Sequence, residues 1–181
     1  MVPADLTVHD LHLIIQAAMG WDNYHLYDFS LGKQRFSIPD SDDYQTDVTI
    51  DSRKMKLENI YSSGKSTRLH YIYDFGDSWE HDVIIEKSLE EVAEEKYPRC
   101  IDGARACPLE DCGSVPGYYE LVEAFAKPND KKYKELRDWA GGEYNPEVFD
   151  LNEADKNVHK YKEMEADAGT FAVDSIWKAF K

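Results

Sequence analysis

The chain has 181 residues, of which 42% are hydrophobic and 13% aromatic, enough apolar surface for the core of one ordinary globular domain. Its formal net charge of -15 disfavours direct binding to nucleic-acid backbones and to anionic membranes. No apolar run is long enough for a transmembrane helix, and the N-terminus shows no signal peptide. Because three cysteines cannot form a closed disulfide framework, we predict a cytoplasmic protein.

The N-terminal part of the chain predicts an α-helix from about Val8 to Met19. Thr7 stands three residues before Asp10, a spacing typical of a capping box, and apolar residues then recur at helical intervals. Gly20 follows as the expected C-cap, because glycine adopts the left-handed conformation that ends many helices.

Shorter elements are predicted after this helix. Residues 21–39 alternate in the manner of two short strands joined by a turn at Leu31 and Gly32. Residues 43–51 indicate a weaker strand or a loop, and residues 52–65 a short helix that ends near Gly64.

The stretch YIYDFGDSWEHDVIIEK predicts a central β-hairpin over about residues 68–87, because its two arms are rich in aromatic and β-branched residues. Residues 75–78 have turn chemistry and favour a four-residue loop. In that register Asp74 lies opposite Trp79, and both share a face with His81. One residue more or fewer in the loop would reverse this grouping, since successive residues of a strand point to opposite faces.

The second half of the chain predicts an irregular loop and then helices. Proline, glycine and cysteine punctuate the segment that begins at Lys96, and loops of such length in compact domains are usually functional or tied down. A helix is expected from Pro116 to Pro128, and another after an N-cap at Asn129 or Asp130.

Four stretches resemble, in content and order, the plasmid pRiA4b ORF-3-like family. They are LTVHDLHLIIQAAMGWDNYHLYDF, YIYDFGDSWEHDVIIE, YPRCIDGARACPLEDCGSVPGYYELVEAF and YNPEVFDLNEAD, which together span roughly residues 6–155. The resemblance implies an α+β fold, with a mostly antiparallel sheet built around the hairpin and packed against an N-terminal helix and C-terminal helices. The family is broadly of unknown function; its members occur on plasmids and beside transposable elements, and some are described as transposon passenger proteins.

The resemblance also implies one domain over residues 1–181, with residues 152–181 as a helical C-terminal extension. Family members usually carry a β-strand before the first helix, so we expect either a chain that is not full length or a sheet that lacks one strand. Where the family commonly has Cys-Pro-Pro-Glu-Asp-Cys-Gly-Gly, residues 107–114 of this chain read CPLEDCGS.

The hairpin turn holds the first group of candidate catalytic residues, Asp74, Asp77 and His81, with Glu80 beside them. Carboxylates and a histidine that converge on one point can hold a metal ion or act as general acid and base. The alternative, which we favour, is that the aspartates only bond the backbone of a tight turn.

Cys100, Cys107 and Cys112 form the second candidate site. The spacing between Cys107 and Cys112 suits zinc, and a structural metal would explain how a long loop stays ordered. Two of the cysteines could equally form a disulfide, or all three could be small buried residues. A catalytic thiolate is the weakest interpretation, since no local signature supplies its histidine partner.

A third candidate is an aromatic ligand pocket. His12, Trp21, Tyr24 and His25 could line it, with Trp79 of the hairpin as a further ligand-binding candidate. The alternative, and the commoner situation, is that such side chains belong to the core.

These observations leave two hypotheses for the function. We favour a non-enzymatic binding or interaction module, associated with mobile elements and directed at a protein partner, because the sequence holds no strong catalytic signature. The alternative is a metal-dependent, hydrolase-like enzyme that uses Asp74, Asp77 and His81 together with the Cys100–Cys112 loop. That alternative requires these groups to line one cleft.

Overall fold

The computed structural model describes residues 1–39, 49–61 and 65–164 and has the predicted α+β fold. Its α-helices are α1 (Val8–Met19), α2 (Ser114–Ala126), α3 (Lys134–Trp139) and α4 (Leu151–Val158). Its strands are β1 (Tyr27–Leu31), β2 (Gln34–Ser37), β3 (Thr49–Asp51), β4 (Thr67–Tyr73) and β5 (Trp79–Ile85). The five strands form one sheet in the order β3-β2-β1-β4-β5, in which all neighbours are antiparallel except the parallel pair β2 and β3.

Helix α1 begins and ends where the sequence predicts. The hydroxyl of Thr7 accepts a hydrogen bond from the Asp10 backbone N–H at 3.0 Å, and the Asp10 carboxylate accepts one from the Thr7 backbone N–H at 2.9 Å. This capping box satisfies two donors that the first turn would otherwise leave unpaired. Gly20 ends the helix in the left-handed conformation, with φ at 74°.

The predicted register of the hairpin is wrong by one residue. Tyr73 pairs with Trp79 and Tyr71 with His81, so the turn has five residues, 74–78. Asp74 belongs to the turn: it adopts φ of 55°, and its carbonyl oxygen accepts a hydrogen bond from the Ser78 backbone N–H at 2.6 Å. The shift moves Trp79 and His81 to the face of Tyr71 and Tyr73, and it separates both from Asp74.

The core lies between helix α1 and one face of the sheet, which we call the inner face. Tyr71, Tyr73 and Phe29 point from the strands into this layer and are fully buried. Burial of each such side chain stabilises the fold by about 1.5–3 kcal/mol relative to exposure. A smaller apolar cluster joins α1 to α4 through Leu13 and Val158.

Hydrogen bonds to other segments hold the long loop in place. This agrees with the expectation that a loop of such length in a compact domain is functional or tied down. The backbone N–H of Cys100 donates to the Asp155 carboxylate at 2.9 Å, and the indole N–H of Trp21 donates to Pro108 O at 2.8 Å. Gly103 lies so close to Phe149 that a Cβ there would stand 2.4 Å from the ring. The loop is therefore packed onto the domain at several points.

The remaining predicted elements agree with the structure only in part. The N-cap of the segment after α2 is Asp130, one of the two residues predicted, but a 3-10 turn over Lys131–Tyr133 precedes the short α3. The helix predicted within residues 52–65 is only a 3-10 turn at Leu57–Asn59, and its end near Gly64 lies outside the described residues. Residues 165–181 of the expected C-terminal extension also lie outside them. Within the described part of the chain, no helix is long and apolar enough to cross a membrane.

Candidate functional site

Three segments meet beside the C-terminal end of α1: the α1–β1 loop (20–26), the hairpin turn (74–78) and the cysteine loop (107–113). Between the first and the last of these segments lies a cavity of ≈ 310 Å³, which we call the cleft. Its lining residues are Met19, Gly20, Trp21, Asp22, Tyr24, Cys107, Pro108, Leu109, Glu110 and Asp111.

Glu110 ties the segments around the cleft together. One of its carboxylate oxygens accepts a hydrogen bond from the Asp22 backbone N–H at 2.6 Å, and the other accepts one from the hydroxyl of Tyr73. Trp21 stacks on Tyr73 with ring centroids 4.9 Å apart, which closes the floor of the site with aromatic surface. Burial and the neighbouring carboxylate of Glu110 both raise the pKa of Tyr73, so this phenol stays a hydrogen-bond donor.

Each of the three segments contributes one metal-ligating group to a single point. The Nε2 atom of His25 lies 3.7 Å from Oδ2 of Asp74 and 3.2 Å from Oδ1 of Asp111. The three ligand atoms all lie within 4.8 Å of one another. Among the described residues this is the group of three or more histidine, cysteine or carboxylate side chains that converges in this way.

Backbone geometry places the Asp74 carboxylate. The residue adopts φ of 55°, in the left-handed region, and its Oδ1 accepts a hydrogen bond from the Gly76 backbone N–H at 2.9 Å. With Oδ1 held by the turn, Oδ2 is the oxygen that faces His25. Asp74 is only 7% exposed, so this carboxylate is largely removed from water.

Asp111 reaches the same point because Asp77 anchors the end of the cysteine loop. The Asp77 carboxylate accepts a hydrogen bond from the Gly113 backbone N–H at 3.2 Å, and its carbonyl oxygen accepts one from the Ser114 hydroxyl at 2.6 Å. Gly117 allows the loop to pass close to α2, since a Cβ there would lie 1.8 Å from the Cys112 carbonyl oxygen. Asp77 is thus a structural residue of the turn and does not share a centre with His81.

His81, the third member of the predicted catalytic group, lies on the inner face of the sheet. Its ring meets Trp21 edge-on, with centroids 5.7 Å apart, and burial lowers its pKa. Its Nδ1 atom is buried without a hydrogen-bond partner. The structure brings Asp74 to His25 and Asp111, whereas His81 packs against Trp21 and Tyr71.

His12, Trp21 and Trp79 of the predicted aromatic pocket are core residues. His12 is 1% exposed; its Nε2 lies 2.7 Å from Asn23 Oδ1 and its Nδ1 lies 2.9 Å from the hydroxyl of Tyr71. Burial lowers the pKa of His12 to about 3, so the ring stays neutral. Tyr24 and His25 of the same prediction do face the site.

The three cysteines do not meet. Cys107 and Cys112 pack against the main core, whereas Cys100 packs against the cluster of α1 and α4, and all three are free thiols. Burial raises the pKa of Cys107 to about 12 and that of Cys112 to about 11, which disfavours the thiolate. Within the described residues the sulfur atoms form no converging ligand group.

Asp111 is the residue that sequence reasoning missed. In the sequence it reads only as part of an acidic pair before a helix, and nothing local connects it with His25 or Asp74. Its role depends on contacts among three segments that are distant along the chain, so no spacing rule could have found it.

The model of one family, "Plasmid pRiA4b ORF-3-like protein", matches residues 1–153. The chain belongs to the plasmid pRiA4b ORF-3-like family. This confirms the resemblance drawn from the four sequence stretches, and all three segments of the site fall inside the matched region.

Two proteins of unknown function are similar to this chain over most of its length. "Uncharacterized protein y4hQ" of Sinorhizobium fredii is 35% identical over 159 residues, 87% of this chain and 80% of that protein. The crystal structure of a protein of unknown function, MM3350 from Methanosarcina mazei Go1, superposes with a TM-score of 0.73 at 32% identity and covers 83% of this chain and 84% of its own. Both relatives are uncharacterised, so the function must be argued from the site.

Proposed function

We propose that this protein is a non-enzymatic binding module that receives a cationic group of a protein partner in the cleft. The observation that supports this most directly is the chemistry of the lining. It combines three carboxylates with the aromatic rings of Trp21 and Tyr24, and none of the lining residues is basic.

Tyr24 and Asp111 are exposed side chains of the cleft. Tyr24 is 54% exposed, and a cation–π contact between its ring and a lysine or arginine side chain contributes about 0.5–1 kcal/mol at an exposed site. The Asp111 side chain is 68% exposed and can pair with the same cation. Glu110 is engaged by Asp22 and Tyr73 and serves to keep the walls in place.

The net charge of the whole chain also favours a cationic partner. A net charge of -15 attracts a basic partner and repels nucleic acid, and charge complementarity raises association rates more than it raises affinity. The partner in this proposal is therefore a basic protein segment.

The test is calorimetric titration with two synthetic peptides of equal length, one alternating lysine and glycine and the other glutamate and glycine. We expect the lysine peptide to bind at low salt and the glutamate peptide not to bind. Tyr24→Ala and Asp111→Asn should each weaken binding by about threefold to tenfold, the effect of losing one modest contact.

The matched control is Asp82→Asn. Asp82 lies on the opposite, outer face of the hairpin, paired with Arg68, and the substitution removes the same charge. If Asp82→Asn weakens the lysine peptide as much as Asp111→Asn does, only the overall charge attracts it, and the cleft is not the binding site.

The geometry gives no comparable support to the hydrolase-like alternative. That alternative needs Asp74, Asp77 and His81 around one point, whereas Asp77 anchors the cysteine loop and His81 lies on the inner face.

A further inference from the structure

We infer that His25, Asp74 and Asp111 form a binding site for one divalent transition-metal ion, with Zn²⁺ as the representative. The site adjoins the cleft through Asp111 but goes beyond the proposed peptide binding, because neither His25 nor Asp74 lines the cavity.

The distances suit a coordination sphere. Metal–ligand bonds of about 2.1 Å separate adjacent ligand atoms by about 3.0 Å in octahedral and about 3.4 Å in tetrahedral geometry. Of the observed separations from His25 Nε2, the 3.2 Å to Asp111 lies within this range and the 3.7 Å to Asp74 lies just outside it. A small rotation of side chains would therefore bring all three ligand atoms to bonding distance of one ion.

Two further features point to a ligand at this place. The Nε2 atom of His25 is inaccessible to solvent and has no hydrogen-bond partner, although buried polar atoms nearly always have one. Asp74 is 7% exposed and directs Oδ2 at that nitrogen. A bound cation would satisfy the imidazole nitrogen and compensate the buried carboxylate at once.

The three ligand atoms indicate which class of metal ion the site would bind. One imidazole nitrogen with two carboxylate oxygens suits Zn²⁺, Mn²⁺ or Fe²⁺, whereas Ca²⁺ and Mg²⁺ prefer oxygen ligands alone. Three protein ligands leave at least one coordination position open. Asp111 is both the exposed ligand and a lining residue, so the site adjoins the cleft.

The experiment uses the 181-residue chain, stripped with a chelator and then titrated with Zn²⁺ by calorimetry and with Co²⁺ by absorption spectroscopy. We expect one equivalent to bind and the Co²⁺ complex to lack a sulfur-to-metal charge-transfer band. His25→Gln and Asp111→Asn should each weaken Zn²⁺ binding by at least about tenfold.

Two controls separate this site from other metal-binding groups. His70→Gln alters a histidine on the outer face whose Nε2 atom lies 3.6 Å from the Glu80 carboxylate. The double variant Cys107→Ser, Cys112→Ser tests the cysteine loop. Both proteins should bind Zn²⁺ as the parent chain does.

Three results would overturn the inference: no stoichiometric binding by the parent chain, unchanged binding by the His25 and Asp111 variants, or loss of binding in the cysteine variant. Asp111→Asn decides the matter if His25→Gln fails to fold. Asp111 is exposed and has φ of 57°, a conformation that asparagine tolerates well. Because the titration uses metal alone, failure of the lysine peptide to bind would leave this result intact.

Discussion

Two histidines, one in α1 and the other just before β1, lie in contrasting environments. His12, inside α1, has hydrogen-bond partners for both ring nitrogens and is 1% exposed. His25, just before β1, has an Nε2 atom that faces two carboxylates without forming a hydrogen bond to either. Both residues belong to the same predicted pocket, yet His12 completes the core and His25 lies beside Asp74 and Asp111.

The hydrogen-bond pattern around His12 shows why it is structural. Because Asn23 presents an oxygen to Nε2, that nitrogen carries the proton, and Nδ1 accepts from the hydroxyl of Tyr71. The hydroxyl of Tyr71 in turn accepts from the Gln16 side-chain amide at 2.9 Å. Satisfaction of both ring nitrogens of His12 favours one arrangement of the core, whereas the Nε2 atom of His25 has no hydrogen-bond partner among the described residues.

Removal of His12 is expected to have the largest effect. His12→Ala should lower the free energy of unfolding by about 3–5 kcal/mol, since it leaves a cavity and deprives the buried hydroxyl of Tyr71 of its acceptor. His25→Ala should change it by less than about 1 kcal/mol in metal-free protein. Urea denaturation of both variants measures the difference; equal losses would contradict the contrast between the two sites.

Gly117→Ala should lower the free energy of unfolding by about 2–3 kcal/mol, because the new Cβ would collide with the Cys112 carbonyl oxygen. The collision displaces the cysteine loop, so Zn²⁺ binding through Asp111 should fall as well. The matched control is Gly32→Ala, a turn glycine whose added Cβ would have no neighbour within 4 Å. Gly32→Ala strains its backbone but should leave Zn²⁺ affinity unchanged.

Acid should destabilise the fold through His12. Its pKa of about 3 in the folded state lies below the usual value of about 6.5, so between these two values the unfolded chain binds a proton that the folded chain excludes. Stability is therefore complete above about pH 6.5 and falls as pH decreases, by on the order of 2 kcal/mol from pH 7 to pH 5. The titratable groups facing the ring are His9, Tyr27, Tyr71 and Tyr73.

Urea denaturation at several pH values checks this prediction. The decline should be shallower in His12→Gln and should persist in His25→Gln. His81, whose pKa burial also lowers, contributes in the same direction and accounts for a residual slope in the His12 variant. A decline of the same steepness in the parent chain and in His12→Gln would show that other groups carry the effect.

The smallest expected effect is that of bound Zn²⁺ on the affinity for the lysine peptide. Saturation with Zn²⁺ should weaken the lysine peptide by about threefold, since the metal and the peptide both use Asp111, and binding free energies at coupled sites are reciprocal. Asp74→Asn should abolish this zinc effect while it keeps peptide binding, because Asp74 does not line the cleft. Calorimetry of the peptide with and without Zn²⁺ provides the measurement; a zinc effect that survives in Asp74→Asn would place the metal elsewhere.

The sequence predicted the parts of the fold that neighbouring residues decide. Helix α1 agrees at both ends, since its capping box and its C-terminal glycine act within one turn of the chain. The two arms of the hairpin agree as well, because runs of aromatic and β-branched residues favour extended structure locally.

The site was predictable only in part. His25 and Asp74 were each candidates, but in different groups, and Asp111 was not among them. The one-residue error in the hairpin register explains the mistaken grouping, since it placed Asp74 beside His81. Asp74 is itself a residue of the turn, with φ of 55° and a carbonyl oxygen that accepts a hydrogen bond from the Ser78 N–H.

By itself, then, the sequence determined the α+β fold class, the first helix with its caps, the central hairpin and the family. Only the tertiary structure decided the strand register, the parallel pairing of β2 with β3 and the convergence of His25, Asp74 and Asp111. The physical reason is the range of the interactions. Caps and strand propensities act between near neighbours, whereas register and a three-segment site depend on contacts that form only when distant parts of the chain pack together.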